Sequence, residues 1–317
     1  MLSGLPQSDF TQESHLTALR PSQDPIKPVI SGWQANEDVK DALDLFQHLA
    51  RLARGRQDCS TLRDYDLGPN SQVLDYGTGT GIWARQIAES LDRRRGQVFG
   101  FDAACLQPQK SCLPKNLYIL LGDENDAWRQ ARQYDVVHTR AVFDDSRYWP
   151  KFYRDAYHHL KPGGLLEIEA VQWILQSDDG TLPNDSALRH WAGILYGSKD
   201  GKQYLDFENT KSQLEAVGFI ASEEIIKLPV SAWDSGASDE EKEIGDWFNS
   251  FLNSVLHTRC FSLYDWGSQD TKLGLEGLMA QAREEIRHRQ LHTYFRFFVW
   301  TAKKPMHSTG GGRPWQL

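Results

Sequence analysis

The stretch VLDYGTGTGIWARQIAE, Val73 to Glu89, decides the fold. Apolar residues lead through Asp75 into glycines at Gly77, Gly79 and Gly81, and Ala84, Ile87, Ala88 and Leu91 then recur at helical spacing. The pattern reads as strand, tight turn, helix. Gly77 and Gly79 admit backbone conformations closed to residues with a β-carbon and allow a ligand to approach the main chain. A purely structural turn between a buried strand and a helix favours glycine as well, so the neighbouring strand ends have to decide. Gln97 to Asp102, QVFGFD, ends on an aspartate at about the twenty-residue distance at which such folds place a ribose-binding carboxylate. Leu117 to Leu121 runs into Gly122 and Asp123. One aspartate at a strand end reads as a cap or turn residue. Asp75, Asp102 and Asp123 in order, each at the C-terminal end of its strand, mark the edge at which open α/β sheets bind ligands.

The spacing G-x-G-x-G differs from the G-x-G-x-x-G that seats a dinucleotide pyrophosphate. It resembles the first motif of class I S-adenosylmethionine-dependent methyltransferases, whose cofactor carries no phosphate. The resemblance implies that the turn wraps the cofactor's amino acid end and ribose, with Asp102 on the ribose hydroxyls and Asp123 on the adenine amino group. A variant Asp102→Ala is then expected to lose cofactor and keep its fold, because a carboxylate at the ligand edge is solvated in the empty protein.

The composition is that of an ordinary soluble globular chain, 25% charged and 40% hydrophobic, and 317 residues suit one enlarged domain with additions. A formal charge of −8 argues against a polyanionic partner, since nucleic-acid binding depends on a basic footprint. The LDRRRG run ending at Gly96 reads as a solvated loop. No run of about 18 apolar residues reads as a membrane span, and no apolar signal core follows Met1, so a cytoplasmic or nuclear protein is expected. Cys59, Cys105, Cys112 and Cys260 have neither paired CxxC spacing nor disulfide-scaffold density, and no metal site is visible. Cys105 reads as a small packing residue.

Residues 1–29 are rich in Pro, Ser, Gln and Thr and read as a flexible arm, and 306–317 as a disordered tail. Between them the expected organisation is a helical lid at 30–66, a cofactor-binding core at 67–175 and substrate-side additions at 176–290. The lid holds a helix from Asn36 with Val39, Ala42, Leu43, Phe46, Leu49 and Ala50 on one face, and Trp33 reads as core or as part of the lid. Asp135 to His138 is a fourth buried strand, followed by a helix with Pro150 in its first turn, a stop at KPGG and a fifth strand at Leu165 to Ile168. Ile225 to Val230 reads as strand six and Tyr294 to Ala302 as an antiparallel seventh. Thr210 with Gln213, and Ser238 with Glu241, have capping-box spacing. The helix opened by Ser238 carries Ile244, Trp247, Phe248, Phe251, Leu252, Val255 and Leu256, a core, lid or dimer face. With the Ala187 to Tyr196 helix, the stretch Trp233 to Trp266 is expected to form an apolar pocket for a small acceptor.

On VLDYGTGTGIWA, YDVVHTRAV, WPKFYRDAYHHLKPGGLLEIE, KLPVSAW and HTYFRFFVWTAKKP, the chain is similar to the LaeA-like fungal class I methyltransferases over roughly Trp33 to Pro305. The fold implied is α/β, a Rossmann-like seven-stranded sheet, mostly parallel with an antiparallel last strand, plus helical additions. The resemblance further implies S-adenosyl-L-methionine as cofactor, contacts at Asp75, Gly77, Gly79, Asp102, Asp123 and the Thr139 region, and either of two functions. One is methylation of O, N or S on a small secondary metabolite; the other is regulation of secondary metabolism through protein partners. The family's usual glycine-cysteine-glycine is Gly77-Thr78-Gly79 here, and its N-terminal tyrosine segment is not evident. His138 and Tyr148 are the titratable residues nearest the active edge, and His138 reads as a buried strand-end residue before a base. The absence of an NPPY-like segment after strand four disfavours flipped nucleic-acid bases.

Overall fold

The computed structural model describes residues 37–55, 67–103, 105–122, 126–128, 132–142, 148–196, 205–233, 237–263, 269–289 and 291–306. In chain order the elements that build the domain are α1 (Glu37–Ala53), β1 (Gln72–Tyr76), α2 (Ile82–Leu91), β2 (Gln97–Asp102), β3 (Leu117–Leu121), β4 (Tyr134–Ala141), α3 (Trp149–His159) and β5 (Leu160–Ser177). Then come α4 (Ala187–Tyr196), α5 (Thr210–Val217), β6 (Ile220–Pro229), α6 (Asp239–Leu263), α7 (Gln269–Arg287) and β7 (Thr293–Lys303).

The strands form one seven-stranded sheet in the order β3-β2-β1-β4-β5-β7-β6. The first five are parallel, and β7 runs antiparallel between β5 and β6. This is the Rossmann-like class I methyltransferase sheet that the motif order implied. From β1 the chain proceeds to β2 and β3 on one side and then crosses back to β4 on the other, so the crevice beyond the C-terminal ends of β1 and β4 is the switch point at which such sheets bind ligands.

Apolar runs drive the sheet to the centre, as expected of parallel strands covered on both faces. Val73, Leu74, Val98, Val136 and Val137 are completely buried. Alternation along β4 separates the faces: Val137 and Ala141 join Phe152, Tyr153 and Ala156 of α3, whereas Val136 joins Ala84, Ile87 and Leu91 of α2. Beyond β5, a third cluster joins Phe46 and Leu49 of α1, Leu188 and Trp191 of α4, Phe251 and Val255 of α6, and Phe295 and Phe297 of β7. Phe46 meets Phe251 at 5.1 Å between ring centroids.

Several expectations change. The fifth strand is far longer than Leu165 to Ile168, because Leu160 already pairs with Tyr134 before an irregularity at the KPGG turn, where Gly163 takes a φ of 79°. Strand six starts at Ile220, earlier than Ile225. Ser238 and Glu241 form the reciprocal capping box. Thr210 and Gln213 do not: Thr210 Oγ1 donates to the Asp206 carbonyl, and Asp206, outside the helix, also accepts from the Asn209 and Gln213 side chains. Cys105 is exposed, not packed. The described faces of α4 and α6 fill a continuous core with α1 and the sheet, so these apolar residues are spent on packing where a pocket was expected. Residues 1–29, Trp33, Asp123 and 307–317 lie outside the described residues.

Candidate active site

The turn after β1 is built on left-handed backbone: φ is 77° at Gly77, 57° at Gly79 and 78° at Gly81. A side chain is strained at each position. The Gly77 and Thr78 N–H groups donate to the Phe101 carbonyl at 2.8 and 2.9 Å, which ties the turn to the end of β2. Gly79 N–H donates to Asp102 Oδ2 at 2.8 Å. Gly81 caps α2 without a side-chain bond, and Ile82 and Trp83 of its first turn line the crevice.

An open pocket lies here, lined by Leu43 of α1, Asp75, the turn from Gly77 to Thr80, Ile82 and Trp83, and His138, Arg140 and Val142. Asp75, Gly77 and Gly79 thus reach one cavity. Asp102 is only 5% exposed and turns onto Gly79, so the expectation of a solvated carboxylate does not hold. Thr139 is fully buried on the α3 face of β4 and is not among the lining residues; the pocket takes its neighbours His138 and Arg140. Tyr148 is 51% exposed at the start of α3 and away from this lining.

Behind the pocket runs a buried ionic network. Sheet register sets Asp75 opposite His138, His138 opposite Glu167, and Arg140 opposite Glu169, all on one face. Asp75 accepts from Thr78 Oγ1 at 2.7 Å and from His138 Nδ1 at 2.8 Å. His138 Nε2 lies 3.7 Å from Glu169 Oε2, an ion-pair distance, and the imidazole stacks on Trp83 with centroids 3.8 Å apart. Arg54, just past α1, sets two nitrogens on Glu167 at 2.9 Å each and also bonds Glu169. Arg140 gives Nε to Glu169 and Nη1 to Gln47, which in turn bonds Gln86. Glu167 and Glu169 are at most 1% exposed.

Burial by itself would push the His138 pKa down; the hydrogen bond to Asp75 and the nearness of Glu169 outweigh it, and the pKa is raised above the ordinary imidazole value. Burial likewise works to raise Glu169, but Arg140, His138 and Arg54 hold it well below the usual carboxylate range. With His138 protonated, the cations Arg54, Arg140 and His138 balance the anions Asp75, Glu167 and Glu169. An imidazole already engaged by two carboxylates is a poor general base. The donor atoms of His138, Glu167 and Glu169 lie within 4.8 Å of one another, a spacing a metal could bridge, yet both carboxylates are already satisfied by guanidinium groups.

A methyltransferase-domain model matches residues 44–221. The chain is also 30% identical over 283 residues to the secondary metabolism regulator LAE1 of Cochliobolus heterostrophus, covering 86% of this chain and 89% of that protein. The chain belongs to the LaeA-like methyltransferases. Within this family it is likewise 29% identical over 277 residues to methyltransferase pytC of Aspergillus terreus, covering 84% of this chain and 81% of that one. Among solved structures, the [4+2]-cyclase SpnF aligns with a TM-score of 0.49 at 15% identity, over 89% of this chain and 98% of that one.

As a LaeA-like methyltransferase the protein uses S-adenosyl-L-methionine, and the residues present fit that molecule. Its methionine end carries an ammonium and a carboxylate, and the pocket lining offers the Asp75 carboxylate and the Arg140 guanidinium. Asp75 already accepts two bonds, but a carboxylate has about four lone-pair sites. The glycine turn, with Gly77 and Gly79 in the pocket lining, suits a ligand lying against backbone.

Sequence reasoning placed Leu43 on the lid helix but missed Gln47, Arg54, Arg140, Glu167 and Glu169. One signal was present: HTR in β4 and LEIE in β5 place charges at alternate positions of strands that should be continuously apolar.

Proposed function

We infer that the protein transfers the methyl group of S-adenosyl-L-methionine to an O, N or S atom of a small secondary metabolite. The observation that carries this reading is the pocket itself: Asp75, the glycine turn and Arg140 gather at the switch point of the sheet in a site open to solvent. Asp75, Gly77 and Gly79, with Arg140, would hold the methionine end, and Asp102 and Asp123 would serve the ribose and adenine. The bound cofactor supplies an activated methyl on sulfur. The chain's own work is orientation and exclusion of water, for which α1, through Leu43 and the bond from Thr80 Oγ1 to Asp44, forms one wall. Because His138 is engaged by Asp75 and Glu169 and stacked on Trp83, proton removal from the acceptor falls to another group or is unnecessary, as for a thiolate or a neutral amine.

The acidic surface supports a small-molecule acceptor over nucleic acid, and no described helix is long and apolar enough to cross a membrane. A cytoplasmic or nuclear enzyme fits this reading. The name of the Cochliobolus heterostrophus relative, a secondary metabolism regulator, supports a second reading. In it the protein is a cofactor-binding regulator that acts through protein partners; a homodimer is compatible with either reading. The deciding experiment incubates purified protein with labelled cofactor and a fungal metabolite extract. Label in an organic-soluble product supports the enzyme; cofactor binding with label in no small molecule, together with a stable complex with another protein, favours the regulator.

A further inference from the structure

We propose that Arg54 is a remote positioning residue for cofactor binding, holding Arg140 and His138 at the pocket through the paired carboxylates Glu167 and Glu169. This rests on the assignment of the Asp75 and Arg140 pocket to the methionine end of the cofactor.

Glu167 and Glu169 are i and i+2 on one strand, so both carboxylates leave β5 on the same face with almost no water. Two buried anions so close need shared cations. Arg54 supplies the bridge: its Nη1 bonds both carboxylates and its Nη2 completes the fork on Glu167. That sharing leaves Glu169 Oε2 to Arg140 Nε and, across 3.7 Å, to His138 Nε2. His138 hands the constraint to Asp75, and Asp75 to Thr78 in the glycine turn. The chain of contacts therefore starts at the end of α1 and finishes on pocket-lining atoms. Without Arg54, three buried anions face two cations, and Arg140 is drawn inward toward Glu167, away from the ligand. A guanidinium fork is needed for this, since an ammonium is a single point charge that cannot hold two carboxylates in fixed orientation.

Titration calorimetry with S-adenosylhomocysteine tests this on the full chain, using Arg54→Met, Arg54→Lys, Arg140→Met and the double variant Arg54→Met/Arg140→Met, with apo melting temperatures measured alongside. Arg54→Met is expected to bind about tenfold more weakly or worse, a loss of about 1.4 kcal/mol, and Arg54→Lys to recover part of it. The double variant should bind no more weakly than Arg140→Met alone, because both changes break one path. A merely structural Arg54 would lower the melting temperature and leave affinity untouched in whatever protein remains folded. If Arg54→Met does not fold, Arg54→Lys with wild-type affinity overturns the proposal, as do losses that simply add in the double variant. No heat from the wild type would overturn the cofactor assignment itself and the proposal with it. An Arg140→Met variant with wild-type affinity would refute the pocket assignment on which the proposal stands.

Discussion

Replacing Asp102 separates two roles that meet in one carboxylate. In the empty protein Asp102 is 5% exposed and accepts the Gly79 N–H at 2.8 Å, so it holds the turn as well as standing at the ligand edge. Asp102→Ala orphans a backbone donor, at a cost of roughly 1 to 3 kcal/mol. At about 2 to 4 °C per kcal/mol for a domain of somewhat smaller size, the apo melting temperature should fall by roughly 2 to 12 °C. Asp102→Asn keeps an acceptor for Gly79 and removes only the charge, so less than half of that drop is expected. Both variants should nevertheless bind S-adenosylhomocysteine about tenfold more weakly or worse. The reason is that hydrogen bonds to a charged acceptor contribute roughly 1.5 to 3 kcal/mol against about 0.5 to 1.5 for a neutral one, and the ribose offers two hydroxyls. Scanning calorimetry and titration calorimetry on the same preparations provide both readouts. Wild-type affinity in Asp102→Asn refutes the ribose assignment, and a wild-type melting temperature in Asp102→Ala refutes the role in the turn.

Because the His138 pKa is raised in the fold, its contribution to stability is present below the unfolded imidazole value and lost as pH climbs through the folded one. The melting temperature should therefore decline as pH rises above about 6.5, and His138→Gln should flatten that decline; superimposable profiles would show that the imidazolium is not the cause. Gly100→Ala places a β-carbon 2.8 Å from Thr78 Oγ1 and 3.0 Å from Ile119 Cδ1, displacing the hydroxyl that bonds Asp75. We expect a loss of about 1 to 3 kcal/mol in urea unfolding together with weaker cofactor binding, and intact binding would separate Thr78 from the site. Glu285 of α7 accepts from Ser186 Oγ at 2.7 Å and from the N–H groups of Ala187 and Leu188 at 2.6 and 3.1 Å, capping α4 from a distance. Glu285→Ala should cost on the order of 1 to 2 kcal/mol and leave cofactor affinity unchanged; a change in affinity would tie α4 to the cofactor pocket.

Much of the fold was legible because its signals are local. The glycine turn, the helical spacing of Ala84, Ile87, Ala88 and Leu91, and the alternation of Tyr294 to Ala302 each follow from backbone geometry within a few residues. Ser238 and Glu241 cap a helix by contacts within one turn and were legible too. Thr210 and Gln213 have the same spacing but lose to Asp206, whose carbonyl and carboxylate reach the helix start from outside. The length of β5 was not legible, since its extra residues are strand only through pairing with β4 and β7. Likewise the apolar face of α6 matches a core or a pocket wall equally well until α1 and α4 are seen to fill it.

The sequence by itself determined the class of sheet, the order of its elements and the acidic and glycine positions of the first motif, because apolar period and glycine conformation are properties of short segments. Only the tertiary structure decided what stands behind the pocket. Arg54, Asp75, His138, Arg140, Glu167 and Glu169 come from four separate elements, and their charges balance only once sheet register lays three strands side by side and α1 delivers Arg54 across them. In the chain each is an isolated charge whose burial would be prohibitively unfavourable. Partners 29 to 115 residues away make that burial tolerable, and no local pattern records them.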